Sequence, residues 1–215
     1  PLRIIHETIE LPRADNTQRI ARMEAEQTRL LHSLKGTSLN LKTFLPLAVK
    51  YGLSSAFPSD YAHRYLHEET MGWDFLKKLD VENRENMWRY VENIHTMEEL
   101  TRLQTNLELL RKHQADNAAA GRPTLGVEIT GVRIGDFVLI TFPGEPSVQI
   151  GLNIKKASPH ELTFVTGCTN GYMYYAPTAE QLRNDLCAQE DSDCILAPEW
   201  QQHYENNVAE LLEKL

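Results

Sequence analysis

The residues best suited to chemistry fall between Phe137 and Thr178. A carboxylate, Glu145, stands in the stiff turn Pro143-Gly144-Glu145-Pro146, and three phenols, Tyr172, Tyr174 and Tyr175, follow Thr169-Asn170-Gly171. A carboxylate and a phenol that meet can be two oxygen ligands of a metal ion, or an acid/base pair. Either task needs rigid placement, which the flanking prolines and glycine supply. Each group also has an ordinary explanation. An acid beside a proline at a helix start gains about 0.3–1 kcal/mol from the helix dipole, and tyrosines pack. Three tyrosines so close in sequence cannot all be buried on one face, so at least one phenol should look into a cleft.

Other candidates are weaker. His63 and His67 lie one helical turn apart behind Pro58-Ser59-Asp60, the spacing that lets two imidazoles converge on a zinc ion. Arg64, however, stands where the metalloprotease pattern needs a glutamate, so surface or hydrogen-bonded histidines are the simpler expectation. Glu190, Asp191 and Asp193 lack the spacing and glycine of a calcium loop and read as a solvated acidic segment. His6, alone in a strand-like run, reads as a structural histidine.

The elements that would position Glu145 and the tyrosines follow from periodicity. Phe137–Phe142 and Leu162–Thr166 are short β-branched and aromatic runs that suit buried strands. Ser147–Ala157 between them suits a helix, with Pro146 at its first position and Pro159 beyond its end. Strands joined through a helix usually lie parallel, so both following loops should emerge at one sheet edge, where open α/β sheets bind ligands. Upstream, Leu2–Leu11 and Leu125–Ile134 read as strands, the latter turning through Gly135-Asp136 into Phe137. Thr17–Leu34 reads as an amphipathic helix and Leu39–Leu53, with Pro46, as a buried one. Asp80–His95 looks charged and irregular with Trp88 as a packing anchor; Met97, Leu100, Leu103, Leu107 and Leu110 mark a helix that frays through Lys112–Ala120. A short helix at Thr178–Arg183, an acidic loop at Asn184–Cys194 and a last helix opened by Pro198 complete the chain. Without a linker or repeat, residues 1–215 read as one α/β domain, a layered mixed sheet with packed helices, or as part of a larger one.

The 215 residues, 41% hydrophobic and 24% charged, are enough for a sizeable core. A net charge of −8 with no Lys/Arg stripe argues against nucleic acid as a partner. No apolar run reaches the length of a transmembrane span. The chain begins at Pro1 inside a strand-like run, so a fragment or processed subunit is expected. Three cysteines, Cys168, Cys187 and Cys194, do not describe a disulfide scaffold; free thiols and a cytoplasmic setting are favoured over a Cys187–Cys194 pair, with secretion open if a signal peptide lies upstream.

Two stretches carry a family resemblance. RIGDFVLITFPGEPSVQIG followed by FVTGCTNGYMYYAPTAEQ resembles the neutral/alkaline non-lysosomal ceramidases, whose catalytic domain has a strand–PGE turn and a later strand–G-x-x-N-x-Y-x-x-Y turn. In that family the glutamate of the first turn and the second tyrosine of the other bind the catalytic zinc; the matching positions here are Glu145 and Tyr175, with Asn170 and Tyr172 shaping the loop. The resemblance implies Zn²⁺ as cofactor and hydrolysis of a linear amide of ceramide type, with a small-molecule or lipid-like substrate and Tyr172 or Tyr174 as a hydrogen-bond donor. The family's zinc-binding histidines and its serine belong to motifs without a counterpart in Pro1–Leu125, and a further family tyrosine falls where this chain has Leu186-Cys187. The implied architecture is therefore the C-terminal half of a larger catalytic domain, with histidine ligands supplied by upstream sequence or a partner chain.

Overall fold

Runs of period two and stripes of period three to four alternate along the chain, and in the computed structural model most of them fold as that periodicity predicts. The structure describes residues 2–53, 62–183 and 188–215. In order these form β1 (Leu2–Pro12), α1 (Thr17–Ser33), α2 (Leu41–Gly52), α3 (His63–Met71), α4 (Phe75–Ala119), β2 (Thr124–Ile134) and β3 (Phe137–Thr141). Then follow β4 (Glu145–Pro146), α5 (Val148–Ala157), β5 (Leu162–Thr166), β6 (Tyr175–Ala176), α6 (Ala179–Arg183), α7 (Gln189–Ser192) and α8 (Trp200–Lys214).

The main sheet has the order β1-β2-β3-β5. β1 and β2 run antiparallel in a ladder from Leu2↔Ile134 to Pro12↔Thr124, and β2 and β3 form a hairpin whose turn uses Gly135 at φ 62. β3 and β5 are parallel, with Phe137 opposite Leu162 and Thr141 opposite Thr166. The fold is α/β with a mixed sheet.

Alternation along the strands puts Ile9, Leu11, Val127, Ile129, Val138 and Ile140 on one face, where they pack with Ile150 and Ile154 of α5 and with Trp200, Tyr204, Val208, Leu211 and Leu212 of α8. Each large side chain buried there is worth about 1.5–3 kcal/mol, so this face supplies most of the drive to fold. α8 lies close against β2: a Cβ added at Gly131 would come 2.7 Å from Leu215 Cδ1. The opposite face exposes Leu2, Ile4, Ile134, Phe137, Leu162 and Phe164.

The described residues group into two compact units, Pro1–Ala25 with Arg102–Leu215, and Glu26–Thr101. The first contains the sheet. In the second, Asp80 is the buried centre of a polar knot: Lys50 Nζ donates to its carboxylate at 2.7 Å, and the hydroxyls of Tyr51 and Tyr65 do the same. Asn40 caps α2 through a reciprocal pair of hydrogen bonds with Thr43.

Several expectations are corrected. Asp80–His95 is not irregular but lies inside α4, which continues without fraying to Ala119. Residues 75–119 contain no glycine or proline and are rich in good helix formers. Their apolar residues are spread around the N-terminal half rather than along one stripe, so periodicity gave no signal there. Trp88 is no packing anchor: it is 54% exposed beneath the Lys35 ammonium. α2 has no buried residue. Pro146 does not open α5; Ser147 is the N-cap, and Glu145–Pro146 is a strand. Part of the acidic loop, Gln189–Ser192, is helical. Asn184, Leu186, Cys187 and the proposed start of α3 at Pro58-Ser59-Asp60 lie outside the described residues.

Candidate functional site

Two loops leave the parallel strands β3 and β5 at the same end, and their backbones are laced together. Phe142, fully buried, donates its N–H to Thr166 O at 2.9 Å, and Thr169 N–H returns to Phe142 O at 3.1 Å. Beyond them Cys168 N–H reaches Gly144 O at 2.8 Å and Met173 N–H reaches Pro143 O at 2.9 Å. Such closeness needs glycine twice. A Cβ at Gly144 would lie 3.0 Å from Tyr174 O, and one at Gly167 would lie 2.9 Å from Gly144 O.

The lacing ends in a short parallel ladder in which Glu145 stands opposite Tyr175 and Pro146 opposite Ala176. Glu145 N–H donates to Tyr174 O at 3.0 Å and Ser147 N–H to Ala176 O at 3.1 Å. Glu145 and Tyr175, separated by a helix and a strand in sequence, are thus direct ladder partners. Three non-glycine residues of the second loop hold left-handed backbone, Cys168 at φ 51, Asn170 at φ 61 and Tyr174 at φ 66. Conformations of that kind cost on the order of 1–3 kcal/mol each and persist where surrounding contacts impose them.

The charge around the pair is negative. The Glu145 carboxylate is the main reason that the Tyr175 phenol is held above its usual pKa, with burial, Glu190 and Asp193 adding to it. The Tyr172 phenol is raised too, first by burial and then by Asp193, Tyr175 and Glu145. Tyr172 is 62% exposed, Tyr175 half-buried and Glu145 exposed. Beside Glu145 a cavity of about 540 Å³ runs between α5 and the end of β5, walled by Val148, Leu152, Val165 and Cys168 with Lys155 among its lining residues.

A cation would suit this donor set, because it would offset the Glu145 carboxylate that disfavours ionisation of the Tyr175 phenol. Glu145 and Tyr175 are the residues of this pair that could hold it. Among the described residues no group of three or more His, Cys, Asp or Glu side chains is arranged to hold a metal. His63 and His67 are exposed on α3, the latter edge-on to Trp73 with ring centroids 6.1 Å apart. His6 is hydrogen-bonded through Nδ1 to Thr130 Oγ1 at 2.9 Å. Cys168 and Cys194 are free thiols.

Tyr174 packs against α4. Its hydroxyl accepts from Lys112 Nζ at 2.9 Å, and its ring meets the buried His113 at 4.5 Å between centroids. His113 and Asp193, bonded Nε2 to Oδ1 at 2.7 Å, border the site; motif reading does not single out His113, and Asp193, expected in a solvated acidic loop, is instead paired with a buried histidine. A signal for His113 does exist: the buried stripe Leu100, Leu103, Leu107, Leu110 continues in the same steps through His113 and Asn117, both buried. Polar residues on a core stripe mark buried hydrogen bonding.

No protein-family model matches the chain, and no curated protein matches it. Among solved structures, the neutral ceramidase from Pseudomonas aeruginosa matches at 24% identity and a TM-score of 0.36. A ceramidase complexed with C2 matches at 24% identity and a TM-score of 0.35. Each comparison covers 43% of this chain, and this chain spans 16% of the ceramidase chains. Similarity at these TM-scores decides neither fold nor activity.

Proposed function

We propose that this chain carries part of a zinc-dependent hydrolase of a linear amide, similar to a ceramidase, with Glu145 and Tyr175 as two of the zinc ligands. The observation that supports the reading is the ladder pair Glu145↔Tyr175, which unites the two positions that the family motifs mark. Zinc, when bound, supplies a Lewis acid that lowers the pKa of a bound water and polarises the scissile carbonyl. The rest of the chemistry belongs to this chain's side chains. Glu145 brings the negative charge, Tyr175 a neutral phenol that becomes a better ligand as it loses its proton, and Tyr172 a hydroxyl free to donate to the oxygen on which charge develops. Tyr174 suits that role less well, since Lys112 and the His113 ring hold its side chain against α4. The apolar wall made by Val148, Leu152 and Val165 suits a lipid-like chain next to Glu145. Histidine ligands come, on this reading, from upstream sequence of the same protein or from a partner chain.

The test is turnover of N-acyl lipid amides by the intact protein. Glu145→Gln should lower kcat by at least ~100-fold, the loss expected when a metal-bound or oxyanion-stabilising contact is removed; unchanged turnover together with unchanged bound zinc refutes the assignment. One observation favours a second reading, a non-catalytic α/β subunit that packs on a partner: the sheet face bearing Leu2, Ile4, Phe137 and Phe164 is apolar and exposed. That reading predicts no stoichiometric metal. A site at His63 and His67 predicts instead that His63→Ala, and not Glu145→Gln, removes it.

A further inference from the structure

Tyr174 is where the second loop changes direction. Its carbonyl accepts the Glu145 N–H at 3.0 Å, and its φ of 66 is what turns the chain into the β6 ladder. A tyrosine in left-handed backbone relaxes unless something holds it. The two residues that hold it are adjacent on α4. Lys112 Nζ donates to the Tyr174 hydroxyl at 2.9 Å and lies 4.6 Å from its ring centroid, while the His113 ring meets the Tyr174 ring at 4.5 Å and 62°. His113 acts in a second direction as well. It is fully buried, and its Nε2 pairs with Asp193 Oδ1 at 2.7 Å. Among the described residues the buried Nδ1 has no partner, and Asp193 is the hydrogen-bond anchor of this ring. The Asp193 carbonyl in turn accepts the Tyr175 N–H at 3.1 Å.

We propose that Lys112 and His113 of α4, with Asp193, form a clamp that positions Tyr175 opposite Glu145. Lys112 and His113 fix Tyr174, on the N-terminal side of Tyr175; His113, through Asp193, fixes the Tyr175 backbone itself. They are positioning residues that act through the loop. Their importance for catalysis rests on the reading of Glu145 and Tyr175 as site residues, but the clamp itself is a property of the backbone and is testable without turnover.

Amide hydrogen exchange of Tyr175 and Glu145, whose N–H groups are bonded across the clamp, reads it directly. In the intact protein His113→Leu should speed exchange of both amides by about tenfold or more while amides of β2 and mid-α4 keep their rates, since only local opening becomes easier. His113→Gln, which restores a donor toward Asp193, and Asp193→Asn, which retains an acceptor, should bring Tyr175 back toward the wild-type rate. Lys112→Met, at an exposed position that does not endanger folding, should speed the Glu145 amide severalfold. Uniform acceleration across β2 and α4 would mean that His113 merely fills the core, and unchanged Tyr175 and Glu145 rates in both His113→Leu and Lys112→Met would overturn the clamp. If the clamp holds and Glu145→Gln is nonetheless fully active, it is the hydrolase reading that fails.

Discussion

Replacing Gly167 by alanine probes the spacing between the two loops. The added Cβ would lie 2.8 Å from Pro146 Cδ and 2.9 Å from Gly144 O. Neither atom is the loose end of a flexible side chain: one belongs to a ring fused to backbone, the other is a carbonyl that accepts the Cys168 N–H at 2.8 Å. Relief requires the Gly144–Pro146 segment to move, and Glu145 moves with it. Overpacking of this kind costs about 1–3 kcal/mol, and alanine returns about 0.4–1 kcal/mol by restricting the unfolded chain. The net loss should be about 1–2 kcal/mol, or a fall in Tm of roughly 2–8 °C for a chain of this length. Gly131→Ala is the internal control. Its Cβ meets Leu215 Cδ1, a side-chain end that can turn aside, at 2.7 Å, and Leu211 Cδ2 and Cγ at 3.2 Å, where a shift of a few tenths of an ångström suffices. It should therefore cost about 1 kcal/mol or less. Urea denaturation followed by circular dichroism measures both. If Gly167→Ala is as stable as the parent, or if Gly131→Ala is the more damaging, the close approach of the two loops is not as described.

Trp200→Ala should destabilise by about 3–5 kcal/mol, because the indole is fully buried among Phe142 and Tyr204 and donates to Pro177 O at 2.9 Å; equilibrium unfolding reads the loss. Asp80→Leu should cost about 1–3 kcal/mol, since the Lys50 ammonium and two hydroxyls lose their common acceptor. The same carboxylate has a pH signature. Burial raises its pKa, yet the hydrogen bonds from Lys50, Tyr51 and Tyr65 outweigh burial and hold it below the usual value. A depressed folded pKa gives stability that is present above the unfolded value of about 4 and is lost as pH falls through the folded one. Stability of the wild-type chain should accordingly drop below about pH 4 more steeply than that of Asp80→Asn; parallel profiles would show that the knot contributes nothing.

The strands, the last helix and the approach of the Glu145 turn to the tyrosine loop were legible because each has a local signature: alternating β-branched runs, an apolar stripe, and a strand-helix-strand unit that brings two loops to one edge; Tyr175 in particular was marked only by the family resemblance. α4 was legible only where its stripe is regular, from Met97 to Leu110. Toward Phe75 its apolar residues, Leu79, Val81, Trp88 and Ile94, are exposed, so nothing in their spacing marks a helix. The two-residue strand at Glu145–Pro146 was illegible for another reason: its partner is remote in sequence, and a proline beside a helix start looks the same whether or not the residue before it joins a ladder. Lys112 and His113 escaped, and Asp193 was read as a solvated acid, because what defines all three is the bonds they make across the fold. Only the polar continuation of a core stripe hints at one of them.

Metal content of the intact protein, as its own gene encodes it, tests the central claim most directly. On the proposed reading, elemental analysis after dialysis should find zinc near one equivalent in the wild type and far less in Glu145→Gln and Tyr175→Phe, because the first variant takes away the negative charge and the second the phenol oxygen of the same ladder pair. Zinc at the wild-type level in both variants, or no stoichiometric zinc in the wild type, would contradict the account.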